Sequence, residues 1–256
     1  MSIFIKNREQ IALMRQANRI VAETHALLER NIRPGVTTGE LNRLADEFIR
    51  SCGAAPSFLG VPCMLEDGVP FPASVCVSVN EEVIHGIPGL RRLKEGDIVS
   101  IDIGAEFRGF HGDAARTFAV GKVMAERQKL LDVTKASFFE GILFARQNNH
   151  LHQISGAIQD YVEKNGFSVV RDFIGHGIGR QMHEAPEIPN FRPKSRGPKL
   201  SPGMTLAVEP MVNIGTYEVE ILGDDWTVVT KDGKCSAHYE NTILITDGDP
   251  EILSVM

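Results

Sequence analysis

The chain repeats itself. Ile154, Ala157, Tyr161, Val162 and Gly166 each stand 113 positions after Leu41, Leu44, Phe48, Ile49 and Gly53. Both sets have the spacing of one apolar helix face closed by a glycine. Polar residues follow the same plan. His85-Gly86-Ile87 is echoed by His176-Gly177-Ile178, and His111-Gly112-Asp113 by His238-Tyr239-Glu240. Gly96 precedes Asp102 by six positions, as Gly203 precedes Glu209.

Each unit reads as two helices followed by strands. Asn7 with Gln10, and Thr37 with Glu40, are capping boxes that open the first two helices. The first helix is expected to run to about Arg33-Pro34-Gly35 and the second to Gly53. Ser74–Val79 and Ile98–Ile103 alternate as strands. A long helix is predicted from about Ala125 to Asn148, then strands at Ser168–Val170, Met204–Val208 and Thr242–Ile245. One unit alone leaves its sheet face uncovered. The pattern therefore predicts an α+β protein, a single domain over 1–256 with halves of about 1–120 and 121–256.

Composition narrows the function. Of 256 residues, 43% are hydrophobic and 23% charged, which excludes disorder as the main state. A net charge of -6 argues against a nucleic-acid coat. Ser51–Leu65 is the longest run without Asp, Glu, Lys or Arg, and its glycines and prolines unfit it to span a membrane. The first residues, Met1-Ser2-Ile3-Phe4-Ile5-Lys6, lack the apolar core of a secretory signal, so a cytoplasmic protein is expected. Cys52, Cys63, Cys76 and Cys235 show no paired spacing and read as reduced thiols.

Acidic residues inside apolar strands carry the chemistry. Asp102 sits in Val99-Ser100-Ile101-Asp102-Ile103, Glu209 follows Leu206-Ala207-Val208, and Glu240 precedes Asn241-Thr242-Ile243. A buried carboxylate must be paired, protonated or bound to metal. Singly, each fits a salt-bridged strand end. With Asp113 and His176 at related positions they form five candidate ligands. Two divalent ions would neutralise four carboxylates, and oxygen ligands with one imidazole suit Mn, Fe, Co or Zn. Such pairs of ions serve metal-assisted hydrolysis.

These residues lie within longer motifs: Asn80-Glu81-Glu82-Val83-Ile84-His85-Gly86-Ile87-Pro88, Asp102-Ile103-Gly104, Gly112-Asp113-Ala114-Ala115-Arg116-Thr117-Phe118, Gly175-His176-Gly177-Ile178-Gly179, His183-Glu184-Ala185-Pro186, Glu209-Pro210 and His238-Tyr239-Glu240-Asn241-Thr242. In this order the chain resembles the type I methionine aminopeptidases of the short bacterial kind, over nearly its whole length. The resemblance implies the pita-bread fold, two pseudo-symmetric αβ halves around a central antiparallel sheet. It implies removal of initiator methionine from polypeptides whose second residue is small. By that resemblance Asp113 and Glu240 bridge two metals, Asp102 chelates one, and His176 and Glu209 complete the other. Glu209 is the proton shuttle, and His85 and His183 contact the substrate. Phe71, Cys76, Met182 and Trp226 are the candidates for the methionine pocket, with ordinary core packing as the alternative for each. Family precedent is a monomer, with no membrane and no specific nucleic acid.

One segment departs from the family pattern. Val61–Pro70 holds about seven residues more than the family has, and the usual aromatic ahead of Phe71 is missing. The insertion is expected to reshape the pocket rim. The basic run Arg192–Lys199 reads first as a solvated loop, and alternatively as a transient contact with the ribosome. Xaa-Pro aminopeptidases and prolidases share the ligand set but carry a substantial N-terminal domain. Only about 80 residues precede the Asn80 motif here, and the repeat uses them. A binding module of the same fold that has lost catalysis would lack ligands, and all five are present.

Overall fold

Asn7 starts the first helix by a reciprocal cap. Its side chain accepts from the Gln10 N–H (3.0 Å), and the Gln10 side chain accepts from the Asn7 N–H (2.9 Å). Thr37 and Glu40 repeat the device at the second helix. The computed structural model describes residues 2–63 and 68–255. Its helices are α1 (Arg8–Glu29), α2 (Thr38–Ser51), α3 (Ala125–Ile142) and α4 (His152–Lys164). Between α2 and α3 lie β1 (Ala55–Pro56), β2 (Cys76–Val79), β3 (Glu82–Ile84), β4 (Ile98–Phe107) and β5 (Phe110–Ala119). After α4 come β6 (Ser168–Val169), β7 (Gly175–Gly177), β8 (Glu184–Ile188), β9 (Thr205–Val208), β10 (Met211–Asn213), β11 (Val219–Ile221), β12 (Val228–Thr230), β13 (Ser236–His238), β14 (Asn241–Leu244) and β15 (Glu251–Ile252).

The predicted elements are present, with two helix ends earlier than expected. The first helix stops at Glu29, before Pro34 and Gly35 turn the chain. α3 stops at Ile142 because the chain tightens there. Ala145 N–H bonds to Ile142 O, and Asn148 takes φ +73, a left-handed conformation that asparagine tolerates.

The site rests on the hairpin of β4 and β5. Ten residue pairs run from Ile98↔Ala119 to Phe107↔Phe110, and Arg108 and Gly109, both at positive φ, make the two-residue turn. Gly112 lets α1 lie directly on β5: a Cβ there would come within 2.6 Å of the Asn18 backbone nitrogen. The second-half sheet has the order β15-β14-β9-β7-β8, all antiparallel. β5 and β14 meet at the seam. Glu240 N–H donates to Ala115 O (2.9 Å), and Thr242 Oγ1 donates to Asp113 O (2.9 Å).

Each half has its own apolar core. Leu41, Ala45 and Ile49 of α2 join one core, and their counterparts Ile154, Ile158 and Val162 of α4 join the other. The packing thus follows the repeat in the sequence. No helix among the described residues is long and apolar enough to cross a membrane.

Candidate metal centre

Register brings the acidic residues together. On the hairpin Asp102 faces Ala115 and Asp113 faces Gly104, which sets the two carboxylates one pleat apart on neighbouring strands. β7 supplies His176, paired with Ala207 of β9. Glu209 follows the last residue of β9 and Glu240 precedes the first of β14; those strands pair Val208 with Asn241. Sheet geometry alone therefore gathers five side chains from both halves.

Asp113, His176 and Glu240 offer ligand atoms that all lie within 4.8 Å of one another. His176 Nε2 is 3.6 Å from Asp113 Oδ2 and 3.7 Å from Glu209 Oε1. Its Nδ1–H donates to Gly177 O (2.9 Å), so the Nε2 lone pair faces the carboxylates. Burial pushes Asp102 up to about 7. Burial, with the charges of Glu240, Asp102 and Glu209, holds Asp113 well above the ordinary carboxylate range. Glu209 and Glu240 are raised for the same reasons, burial first. Burial lowers His176 to about 3, so its imidazole is neutral. Asp102 Oδ1, Asp113 Oδ1 and Glu240 Oε1 are buried without a hydrogen-bond partner. Buried carboxylate oxygens without partners, beside a neutral imidazole, are a donor set that suits divalent cations.

The cluster forms the floor of a cavity of about 460 Å³. Phe71, Cys76 and Trp226 stand in its wall, as do Ile84, Phe173 and Val228, to which the sequence assigned no place in the pocket. Trp226 meets Phe71 edge-on with ring centroids 5.0 Å apart. Met182 is elsewhere. It is buried with Met14, Phe110, Ile178 and Leu244 and does not line the cavity. Its neighbour His183 does line it, from the bend that leads into β8.

His85 and His183 flank the floor. The His85 ring lies edge-on to Phe173 (5.8 Å) and Trp226 (6.1 Å), on a backbone at φ +58, a conformation that non-glycine residues hold chiefly where a site demands it. The His183 ring is 4.4 Å from that of His176. Burial lowers both imidazoles, His85 to about 4. The turn carrying His183 is anchored by the buried Lys6–Glu184 ion pair (2.6 Å). His238 is a residue that sequence reasoning passed over. It is buried, and its Nε2 lies 3.7 Å from Glu209 Oε2 with no hydrogen-bond partner. Its place two residues before Glu240 was the available signal.

The insertion leaves the cavity wall and returns to it. Gly60 N–H bonds to Phe71 O and Phe71 N–H to Val61 O, both 2.9 Å, which closes its stem. Val61, Pro62 and Cys63 line the cavity. Met64–Asp67 lie outside the described residues. In the basic run Arg192 is paired with Asp160 (2.6 Å), while Lys194, Arg196 and Lys199 are exposed.

The profile of metallopeptidase family M24 matches residues 12–247. The chain is 58% identical to a methionine aminopeptidase of Clostridium perfringens over 254 residues, 99% of either chain. It is 51% identical to methionine aminopeptidase 1 of Bacillus subtilis over 252 residues, 98% of this chain and 99% of that one. The crystal structure of a methionine aminopeptidase from Thermotoga maritima superposes with a TM-score of 0.94 at 41% identity, covering all of both chains. The expected pita-bread architecture is therefore present. With a profile match over most of its length and full-length relatives more than half identical, this chain belongs to metallopeptidase family M24.

Proposed function

We propose that this protein is a di-metal aminopeptidase that removes the N-terminal methionine from polypeptides, with preference for a small second residue. One observation carries the reading: four carboxylates and a neutral imidazole line the floor of a cavity with apolar walls, and three of the carboxylates carry a buried oxygen without a hydrogen-bond partner. Its methionine aminopeptidase relatives, matched end to end, support it.

By the family resemblance Asp113 and Glu240 would serve both ions, Asp102 one of them, and His176 and Glu209 the other. Co, Mn, Fe and Zn all suit this donor set. When bound, the ions supply Lewis acidity and ease the deprotonation of water. The Glu209 carboxylate takes the proton from the attacking water and delivers it to the leaving amine. Neutral His183 donates its N–H to the scissile carbonyl oxygen as charge develops there. His85 contacts the substrate backbone beside the leaving amide. The free amino terminus binds at Asp102, which restricts the enzyme to chain ends. Phe71, Cys76 and Trp226 receive the methionine side chain, whose thioether packs well against aromatic edges.

Residues 1–256 act as one catalytic domain and as a monomer, in the cytoplasm, where new chains emerge. The exposed Lys194, Arg196 and Lys199 are the groups available for a transient ribosome contact. Charge reversal at Lys194 and Arg196 should then reduce co-sedimentation with ribosomes at low salt.

The deciding experiment is chelation followed by metal add-back, with Met-Ala-Ser and Ala-Pro-Ala offered side by side. Release of free methionine only with metal restored is the expected result. Release of alanine from Ala-Pro-Ala instead would assign the chain to Xaa-Pro cleavage. Cleavage of neither would leave a binding module.

A further inference from the structure

Three apolar side chains stand in the open at the cavity mouth. Val69 is 66% exposed, Ile221 45% and Leu222 42%. Scattered apolar residues on a surface need no explanation, but a fixed group beside a cavity marks a contact surface. Here the group is fixed. Trp226 Nε1–H donates to Val69 O (2.7 Å), which ties the insertion to the turn after β11. Cys63 Sγ lies 3.7 Å from Asp225 O of the same turn. The turn is closed by Leu222 N–H to Thr227 O (2.8 Å) and Asp225 N–H to Leu222 O (3.1 Å).

We propose that this lip is a subsite for an apolar side chain of the substrate beyond its second residue. The proposal rests on the aminopeptidase reading above. The occupant follows from continuity. Ile221 and Trp226 belong to the cavity wall and to the lip at once, so a polypeptide whose first residue lies at the floor leaves across them. An extended chain advances about 3.4 Å per residue, which puts the third and fourth residues roughly 7–10 Å from the first. Asp172 and Asp225 also line the cavity, so an acidic side chain there meets like charge. The insertion thus adds a downstream contact, selected by its Val69 and by Leu222 of the turn to which it is tied.

The test compares Met-Ala-Leu-Ser with Met-Ala-Asn-Ser on the metal-loaded full chain, reading kcat/KM for methionine release. Asparagine is uncharged, so the ratio isolates the apolar contact. A preference for leucine of about threefold to tenfold is expected for a partly exposed contact. Val69→Asp and Leu222→Asp, with Val69→Ser and Leu222→Ser as milder forms, should bring the ratio close to one while leaving hydrolysis of Met-Ala-Ser unchanged. A ratio near one in the unaltered protein, or one that survives these substitutions, overturns the subsite alone. Failure to release methionine from Met-Ala-Ser overturns the aminopeptidase reading, and the subsite with it.

Discussion

The floor and the rim of the cavity are built on opposite terms. The floor takes side chains from strands of both halves, and the ladders that hold those strands fix each carboxylate. The rim is loop: the insertion stem and the turn after β11, joined among the described residues by an indole hydrogen bond and a thiol contact. The floor gathers carboxylates that burial and mutual repulsion hold above their ordinary range, whereas the rim leaves apolar surface in the open. Reactivity is thereby committed to parts that cannot shift independently. Selectivity is left to parts that can change length without disturbing a strand.

The largest effects should come from the floor. Glu240→Ala or Asp113→Asn should lower kcat/KM by roughly 10³-fold or more, since metal Lewis acidity is worth several kcal/mol. The same Asp113→Asn change should raise the melting temperature of the chelated protein, because it removes one of four repelling carboxylates. An active Asp113→Asn enzyme would break the contrast between floor and rim.

Chelation comes next. Asp102 is held up to about 7 against an ordinary 3.8, and Asp113, Glu209 and Glu240 are likewise held well above the ordinary carboxylate range by burial and mutual repulsion. Between about pH 4 and pH 7 the metal-free folded protein therefore binds more protons than the unfolded chain, so its stability falls as pH rises through that window. Metal needs the ionised carboxylates and stabilises by mass action. The melting-temperature gap between metal-loaded and chelated protein should be larger at pH 8 than at pH 5, by about 5 °C or more. Equal gaps at the two pH values would mean that the four groups do not share one site.

A smaller effect belongs to His238. Its Nε2 stands beside Glu209 Oε2, where it can orient that carboxylate. His238→Ala should cost about 10- to 100-fold in metal affinity or kcat, with His238→Gln recovering much of it. Trp226→Phe keeps an aromatic ring beside Phe71 while losing the bond to Val69 O and part of the indole's bulk, so it should change kcat/KM for Met-Ala-Ser by less than about fivefold.

Legibility in the sequence divides along the same line. The capping boxes at Asn7 and Thr37, the two helix faces, the strand bearing Asp102 and the strands beside Glu209 and Glu240 could be read, because local propensity and tertiary demand agree there, whereas β5, which carries Asp113, has no clean apolar alternation and was not. An acidic residue inside an apolar strand is conspicuous for its cost. Ile84, Phe173 and Val228 were not legible, since a cavity wall and a core ask for the same apolar side chains. His238 was quoted within a motif yet given no role, because its contact with Glu209 depends on how β13 lies against the end of β9. The tie between Trp226 and Val69 spans 157 positions and leaves no local pattern.

Met182 marks the boundary between cavity and core most finely. It neighbours His183 in the chain, yet packs with Met14, Phe110 and Leu244 and does not line the cavity. Met182→Phe would enlarge a packed cluster, at a cost of about 1–3 kcal/mol in stability. Its effect on the ratio of Met-Ala-Ser to Leu-Ala-Ser hydrolysis should be nil, whereas Phe71→Ala should alter that ratio. A shift in side-chain preference from Met182→Phe, with stability intact, would move the residue into the methionine pocket and extend the selectivity surface beyond the loops. An unchanged ratio with a lower melting temperature leaves recognition of the first side chain to the wall that Phe71, Cys76 and Trp226 share with the rim.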